Sequence, residues 1–453
     1  MTDFKFDRHA VRCFRFLDCH FDAASGEARL AYGFDDGPRL VETIRFPNAP
    51  YALDPARTVA VEQALRLLHL IAGVSYYKAV VPPEIRIEGY AIGTGTAAFL
   101  QELYENGLGE FAYRNGLSLR GRIQFPHEAA PAEPAPALGL RQHAIVAIGG
   151  GKDSLVSIEA LRRAGVAQTV SWIGSSPLIR ACAERTAFPL LNIGRSLAPE
   201  LFEMNKQGAL NGHIPVTAIN SAILALAALL EDADMLVFSN ERSASYGSLI
   251  PGTGEVNHQW SKGWTFEQHF ARQLRSQVAA DLNYFSLLRP FSELAVARQF
   301  ARTDHYDAHF SSCNRNFHLL GERPAQRWCG ACPKCHFVFL ALAPFMPKPR
   351  LMAIFGRNLL DEPEQAAGFD ALLEYQDHKP FECVGEGRES RAALAALAAN
   401  PSWREDALVA RFAQEIQPQL ETVDLMLAPL LEASDDHAIP PALQVPLLEN
   451  FRA

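Results

Sequence analysis

The chain has 453 residues, of which 48% are hydrophobic and 21% charged; those values exclude disorder, collagen and coiled coil as overall descriptions. At roughly 150 residues per domain the length suggests about three domains. Forty-two Lys and Arg against 51 Asp and Glu leave a net charge of −9, which argues against a nucleic-acid partner.

The opening run MTDFKFDRHAVRCF has no basic stretch followed by an apolar one, so it does not read as a secretory signal. Residues 11–47 alternate in strand fashion, as VRCFRFLDCHF, EARLAYGF and RLVETIRF, with AASGE and DDGP supplying turn chemistry between them. ARTVAVEQALRLLHLIAG has helical spacing, and a second helix is expected over Thr96–Glu105. HEAAPAEPAPALG, from 127 to 139, holds three prolines and reads as a linker. An N-terminal α+β domain is therefore expected over 1–138.

The rhythm then changes. HAIVAI, TVSWIG, PLLNIG and ADMLVFS are short apolar strands interleaved with the helical runs SLVSIEALRRAG and NSAILALAALLEDA. Such alternation predicts an α/β fold with a doubly wound parallel sheet over 139–346. After Pro347 strands are scarce, and EQAAGFDALLEY, SRAALAALAA, REDALVARFAQEI and ETVDLMLAPLLEA predict a helical region over 347–453. The most apolar stretches, 216–230 and 337–346, fall short of the roughly 18 residues a membrane span needs, so a cytoplasmic protein with no membrane partner is expected.

Gly149-Gly150-Gly151-Lys152-Asp153-Ser154 lies between a predicted strand and a predicted helix. Glycines let the backbone approach an anion, and the helix start offers free N–H groups and a positive dipole end. Lys152 adds a cation and Ser154 a hydroxyl donor. The run fits neither the Walker loop nor G-x-G-x-x-G; an ordinary tight turn is the plainer alternative. Ligands of open α/β sheets sit beyond the strand carboxyl ends. That makes Ser175, after TVSWI, and Asn240, Glu241 and Arg242, after ADMLVF, candidate site residues. Glu241 suits a metal or a proton, and Arg242 a phosphate or carboxylate; a capped helix start with a solvated ion pair is the alternative there. His213 precedes the long apolar helix and suits either the site or a loop.

Four of eight cysteines are bunched as Cys313-x15-Cys329-x2-Cys332-x2-Cys335. Four thiolates satisfy a closed, structural tetrahedral Zn²⁺ site, with Gly330 permitting the tight turn. An iron–sulfur cluster fits the spacing poorly, and unrelated free thiols are the remaining alternative.

The glycine run resembles the S-G-G-x-D-S loop of the PP-loop ATP pyrophosphatases, matching at Gly150, Gly151, Asp153 and Ser154 and departing at Gly149, where that superfamily usually has Ser. The resemblance implies ATP and Mg²⁺, cleavage of ATP to AMP and pyrophosphate, and roles for Lys152, Asp153, Glu241 and Arg242. The C-G-x-C-x-x-C knuckle is similar to the zinc-binding end of the queuosine-precursor synthases of that superfamily. More narrowly, FDRHAVRCFRFLDCHFD, GGGKDS, SNERSASYGS, CGACPKC and FECVGEGRESR together resemble the UDP-N-acetylmuramoyl-L-alanyl-L-glutamate epimerases, nearly end to end. That resemblance implies adenylation of a glutamyl carboxylate in a nucleotide-linked muramoyl dipeptide, inversion at its α-carbon, and release of AMP. Other adenylating enzymes on the same loop, of queuosine-precursor or tRNA-thiolation type, and a nucleotide-binding sensor are the alternatives.

The base that moves the α-proton is left open among Cys383, Glu386, Glu241 and His213. The acids around Cys383 are expected to raise its pKa, and Glu382, Glu386 and Arg388 are expected to form a solvated surface loop.

Overall fold

The computed structural model describes residues 6–129, 134–250, 254–317, 323–375 and 379–452. Three predicted N-terminal strands form where the alternation placed them: β1 (Cys13–Asp22), β2 (Glu27–Phe34) and β3 (Leu40–Arg45). They are joined by β4 (Glu84–Ile87), β5 (Ala144–Ala147), β6 (Gln168–Ile173), β7 (Leu190–Ser196) and β8 (Met235–Phe238). A small hairpin, β9 (Ser248–Ile250) and β10 (Gly254–Val256), precedes β11 (Asn283–Ser286). Sequence reading missed β4 and β11, each four residues long and too short to show a period.

The large sheet has nine strands in the order β11-β8-β5-β6-β7-β3-β2-β1-β4. From β11 to β7 neighbouring strands are parallel. The meander β1–β3 is antiparallel and joins at the β3–β7 seam, where Ile44 faces Arg195. Strands before and after the 127–139 segment therefore belong to one sheet. The described end of that segment is tied down: Asp281 accepts from the Leu138 and Leu140 N–H groups at 2.9 and 3.0 Å.

Period-two alternation delivers the parallel strands to two cores. Ile145, Leu191, Leu236 and Tyr284 face one, with the Pro55–Ala72, Val216–Leu230 and Trp264–Gln277 helices. Val146, Val170, Val237 and Phe285 face the other, with the Lys152–Arg163, Glu293–Ala301 and Pro333–Leu342 helices. Helices on both faces of a parallel array make this part doubly wound, as expected. The Val216–Leu230 helix is buried almost all round, which matches its unbroken run of Ala, Ile and Leu.

The C-terminal region is helical, with helices at Ala366–Leu372, Gly387–Ala398, Ala407–Arg411 and Pro441–Arg452. The expected helix over 421–433 does not form. Two short 3₁₀ turns, Thr422–Leu425 and Ala428–Leu431, stand there instead, with Met426 extended between them. Pro429 has no N–H to donate and fits only the first turn of a helix, so the run breaks there. Among the described residues no helix is long and apolar enough to cross a membrane.

Candidate active site at the strand carboxyl ends

The loop Gly149–Gly151 leaves the carboxyl end of β5 and feeds the Lys152–Arg163 helix. Gly150 has φ +80°, and a side chain there would sit 3.5 Å from the Ile179 backbone. That left-handed conformation, pressed against a neighbouring helix, requires glycine. A Cβ on Gly149 would meet nothing within 4 Å, so the loop is open on that side. Gly151 caps the helix without a side-chain acceptor. The N–H groups of the first turn therefore have no cap partner, which suits an anion. Ser154 Oγ donates to the Gly151 carbonyl at 3.2 Å, behind the loop.

Lys152 is buried, and its ammonium bonds both the Asp153 carboxylate next to it and Glu293, at the start of the helix that follows β11. Burial alone would lower its pKa; the two carboxylates reverse that and raise it. Asp153 is held below the usual carboxylate range because Lys152 and Lys334 outweigh its burial. Lys334 lies 3.7 Å from the other oxygen of Glu293 and also donates to the Cys383 carbonyl. Glu241, beyond β8, is buried beside this group. Burial first, then Glu293 and Asp153, push its carboxyl up to about 7.

The network continues away from the loop. Lys262 Nζ is 3.1 Å from Cys383 Sγ. His258 lies close enough to the same thiol for its charge to act on it, and its Nδ1 hydrogen-bonds Glu110. The His213 ring lies tilted against His258, with centroids 4.1 Å apart, and reaches within 4.0 Å of Glu110. Burial and His258 lower His213 to about 4. For Cys383, burial pushes the thiol up, but Lys262, His258 and Lys334 outweigh it and hold it at about 5. That overturns the expectation that its acidic neighbours raise it. Sequence proximity showed Glu382 and Glu386; the fold brings three cations from elsewhere. The expected solvated loop is also not present. Val384, Gly385, Gly387 and Glu389 are buried, and Glu386 caps the Gly387–Ala398 helix in a reciprocal box with Glu389.

The remaining candidates lie around this network. Asn240 is buried and donates to Ser286 Oγ at 3.0 Å, tying the β8 and β11 ends together. Ser175 is exposed past β6, beside Ser176, which caps the next helix. Arg242 lines a cavity of about 270 Å³ with Arg388, Glu386 and Glu389, and its guanidinium donates to the Glu432 carbonyl at 3.4 Å. Sequence reading missed Glu293, Lys334, Lys262, His258 and Glu110. Glu293 follows a strand end, but β11 was not recognised; Lys334 was hidden inside the knuckle; the other three carry no local signal.

Cys313, Cys329, Cys332 and Cys335 converge with all four sulfurs within 4.8 Å of one another. Cys332 and Cys329 lie 3.5 and 3.7 Å from Cys335. Four sulfurs at about 2.3 Å from a tetrahedral zinc stand about 3.8 Å apart, so the set fits the ion. Gly330, at φ +67°, makes the turn. The knuckle also fixes the loop: Ser311 N, two residues before Cys313, donates to the Gly150 carbonyl at 2.9 Å.

A doubly wound sheet, with a glycine loop at its carboxyl edge and a buried chain of paired acids and bases beside it, places the chain in the α/β class. The MurL N-terminal domain family matches residues 5–287, and the MurL C-terminal domain family matches 309–435. The chain is 70% identical to the UDP-N-acetyl-alpha-D-muramoyl-L-alanyl-L-glutamate epimerase of Xanthomonas oryzae pv. oryzae, over 98% of this chain and 99% of that protein. It is 43% identical to the epimerase of the same name from Salinispora tropica, over 87% of each chain, and 41% identical to that of a Micromonospora species, over 94% and 96%. The chain belongs to this epimerase family, and is therefore an isomerase.

Proposed function

We propose that this protein inverts the terminal L-glutamate of UDP-N-acetylmuramoyl-L-alanyl-L-glutamate to D-glutamate for peptidoglycan synthesis, consuming ATP and releasing AMP and pyrophosphate. The observation that carries the reading is the uncapped glycine loop on the carboxyl edge, joined through Lys152, Glu293 and Lys334 to Cys383. An anion site and a proton-moving group then share one network. The likeness of the loop to PP-loop enzymes supports ATP as the anion. The three relatives, all named as epimerases, favour epimerisation over queuosine-precursor or tRNA-thiolation chemistry. Eight cysteines without a disulfide suit a reducing compartment, which supports a cytoplasmic location.

A glutamyl α-proton is very weakly acidic while the carboxylate beside it is charged. Transfer of AMP to that carboxylate removes the charge and lets the carbanion delocalise as an enolate. In this reading Gly149, Gly150, Gly151, Ser154 and the helix start bind the phosphates, with Ser175 and Asn240 bordering the nucleotide. Lys152 is a fixed cation at the loop. Asp153 and Glu241 are the carboxylates that would hold Mg²⁺, which neutralises phosphate charge when bound. Arg242 is the cation for the second anionic group, the carboxylate or a phosphate of the substrate. Zinc at the four cysteines is structural and takes no part in proton movement.

The test runs in D₂O with ATP, Mg²⁺ and the dipeptide substrate. The product should carry deuterium at the α-carbon, with AMP formed alongside. A non-cleavable α,β-ATP analogue should block exchange. Exchange without ATP would overturn the adenylation step, and AMP without inversion would indicate a ligase or amidation enzyme.

A further inference from the structure

We infer that Cys383 is the group that moves the α-proton on one face of the glutamyl carbon, with Lys262 holding its charge and the His258–Glu110 pair positioning it. The inference rests on the epimerase reading above and names a residue for it.

Four of the eight thiols lie outside the knuckle. For Cys13, Cys19 and Cys182 burial outweighs the charged groups nearby and raises all three, the last two to about 12. Cys383 is built differently. Lys262 comes from the turn Trp260–Lys262 and places Nζ at 3.1 Å from the sulfur. His258 comes from the segment after β10 and acts on the thiol by its charge, while its Nδ1 is committed to Glu110. Glu110 is in turn fixed by Arg114 at 2.5 Å. This is the nucleophile–base–orienting-acid arrangement that activates a thiol, assembled from three distant parts of the chain. Lys334 anchors the Cys383 backbone and simultaneously touches Glu293, which holds Lys152. One lysine therefore separates the thiol's backbone from the carboxylate that anchors the loop.

The thiolate is the resting form in this setting. His258 is held up at about 9, because its interactions with Cys383 and Glu110 outweigh its burial. The groups facing the sulfur are Lys262, His258 and Lys334, which favour charge, and Glu382, which opposes it. A base for a carbon acid must be unprotonated at working pH and able to reach the carbon. In the step, the thiolate takes the α-proton and forms an S–H bond. The C–H electron pair moves into the enolate of the adenylated glutamyl group. A proton from solvent, delivered on the opposite face, re-forms the C–H bond with inverted configuration. The Cys383 thiol then gives its proton to solvent and returns to the thiolate.

Three measurements test this. In D₂O, Cys383→Ala and Cys383→Ser should release AMP from ATP in the presence of the dipeptide while inversion and deuterium uptake fall at least about 100-fold. Mass spectrometry of the acid-quenched unmodified enzyme during turnover should show Cys383 free. Alkylation of the Cys383 peptide against pH should have its midpoint near 5 and shift towards the ordinary thiol value, about 8.5, in Lys262→Met. Inversion retained within about tenfold in both variants overturns the assignment. So does loss of AMP release and inversion together, a substrate adduct on Cys383, or an alkylation midpoint near about 8.5 in the unmodified protein. Absence of AMP from the unmodified enzyme would take down the epimerase reading and this assignment with it.

Discussion

The two ends of the nine-stranded sheet use buried polar groups in opposite ways. In the antiparallel part several such groups are closed in short local bonds. Tyr32 donates to the His69 carbonyl at 2.9 Å, His69 is held between the Ala31 carbonyl and Tyr90, and Tyr104 donates to the Leu70 carbonyl. At the seam, Glu42 on β3 is paired with Arg195 on β7 at 2.7 Å, and Arg195 also donates to Ser75 Oγ at 3.3 Å. In the parallel part the buried ions form a chain rather than a pair, from Asp153 through Lys152, Glu293 and Lys334 to Cys383, and Lys262 and His258 close its far end. The difference follows from strand direction. Parallel strands bring several carboxyl ends and helix starts to one edge, whereas a meander alternates its ends and gathers nothing.

The sharpest way to break this comparison is at the loop. Asp153→Ala should lower AMP formation at least about 10³-fold, about 4 kcal/mol in the barrier, while the melting temperature stays within a few degrees. Normal turnover by that variant would remove the loop from the chemistry. At the seam the expected signature is reversed. Arg195→Met leaves Glu42 buried without its cation and should cost about 3 kcal/mol or more of stability, read by urea unfolding, with AMP formation per folded molecule unchanged.

The knuckle should behave like the seam, not like the loop. Elemental analysis should find one zinc per chain, and Cys332→Ser should lose it. At a hundredfold excess of metal over its dissociation constant, that loss is worth about 2.7 kcal/mol of stability. A metal-free protein with full stability would count against the four-cysteine site.

The smallest expected effect is a slope. Burial, with Glu386 and Glu293, holds the Glu389 carboxyl up at about 7 against an ordinary 4.5. Between those values the folded chain keeps a proton that the unfolded chain has released. Stability from this group is therefore full below the lower value and falls as pH rises through the window. Glu389→Gln should flatten that part of the stability–pH curve, and an unchanged slope would show that other groups set it.

The sequence alone determined the glycine loop, the four-cysteine knuckle and most of the elements, because each depends on residues close together in the chain. Strand alternation, helical spacing and C-x2-C are local patterns, and local geometry realises them. The expected helix at 421–433 failed for an equally local reason, Pro429. Tertiary structure alone decided which charges meet. Glu110, His258, Lys262, Glu293 and Lys334 are scattered over more than 200 residues, and none marks itself by spacing. Cys383 shows why that matters. Its neighbours in sequence are acids, which raise a thiol's pKa; its neighbours in space are two lysines and a histidine, which lower it to about 5. Charge interactions fall with distance through space and not along the chain, so the sign of that shift became legible only once the chain was folded.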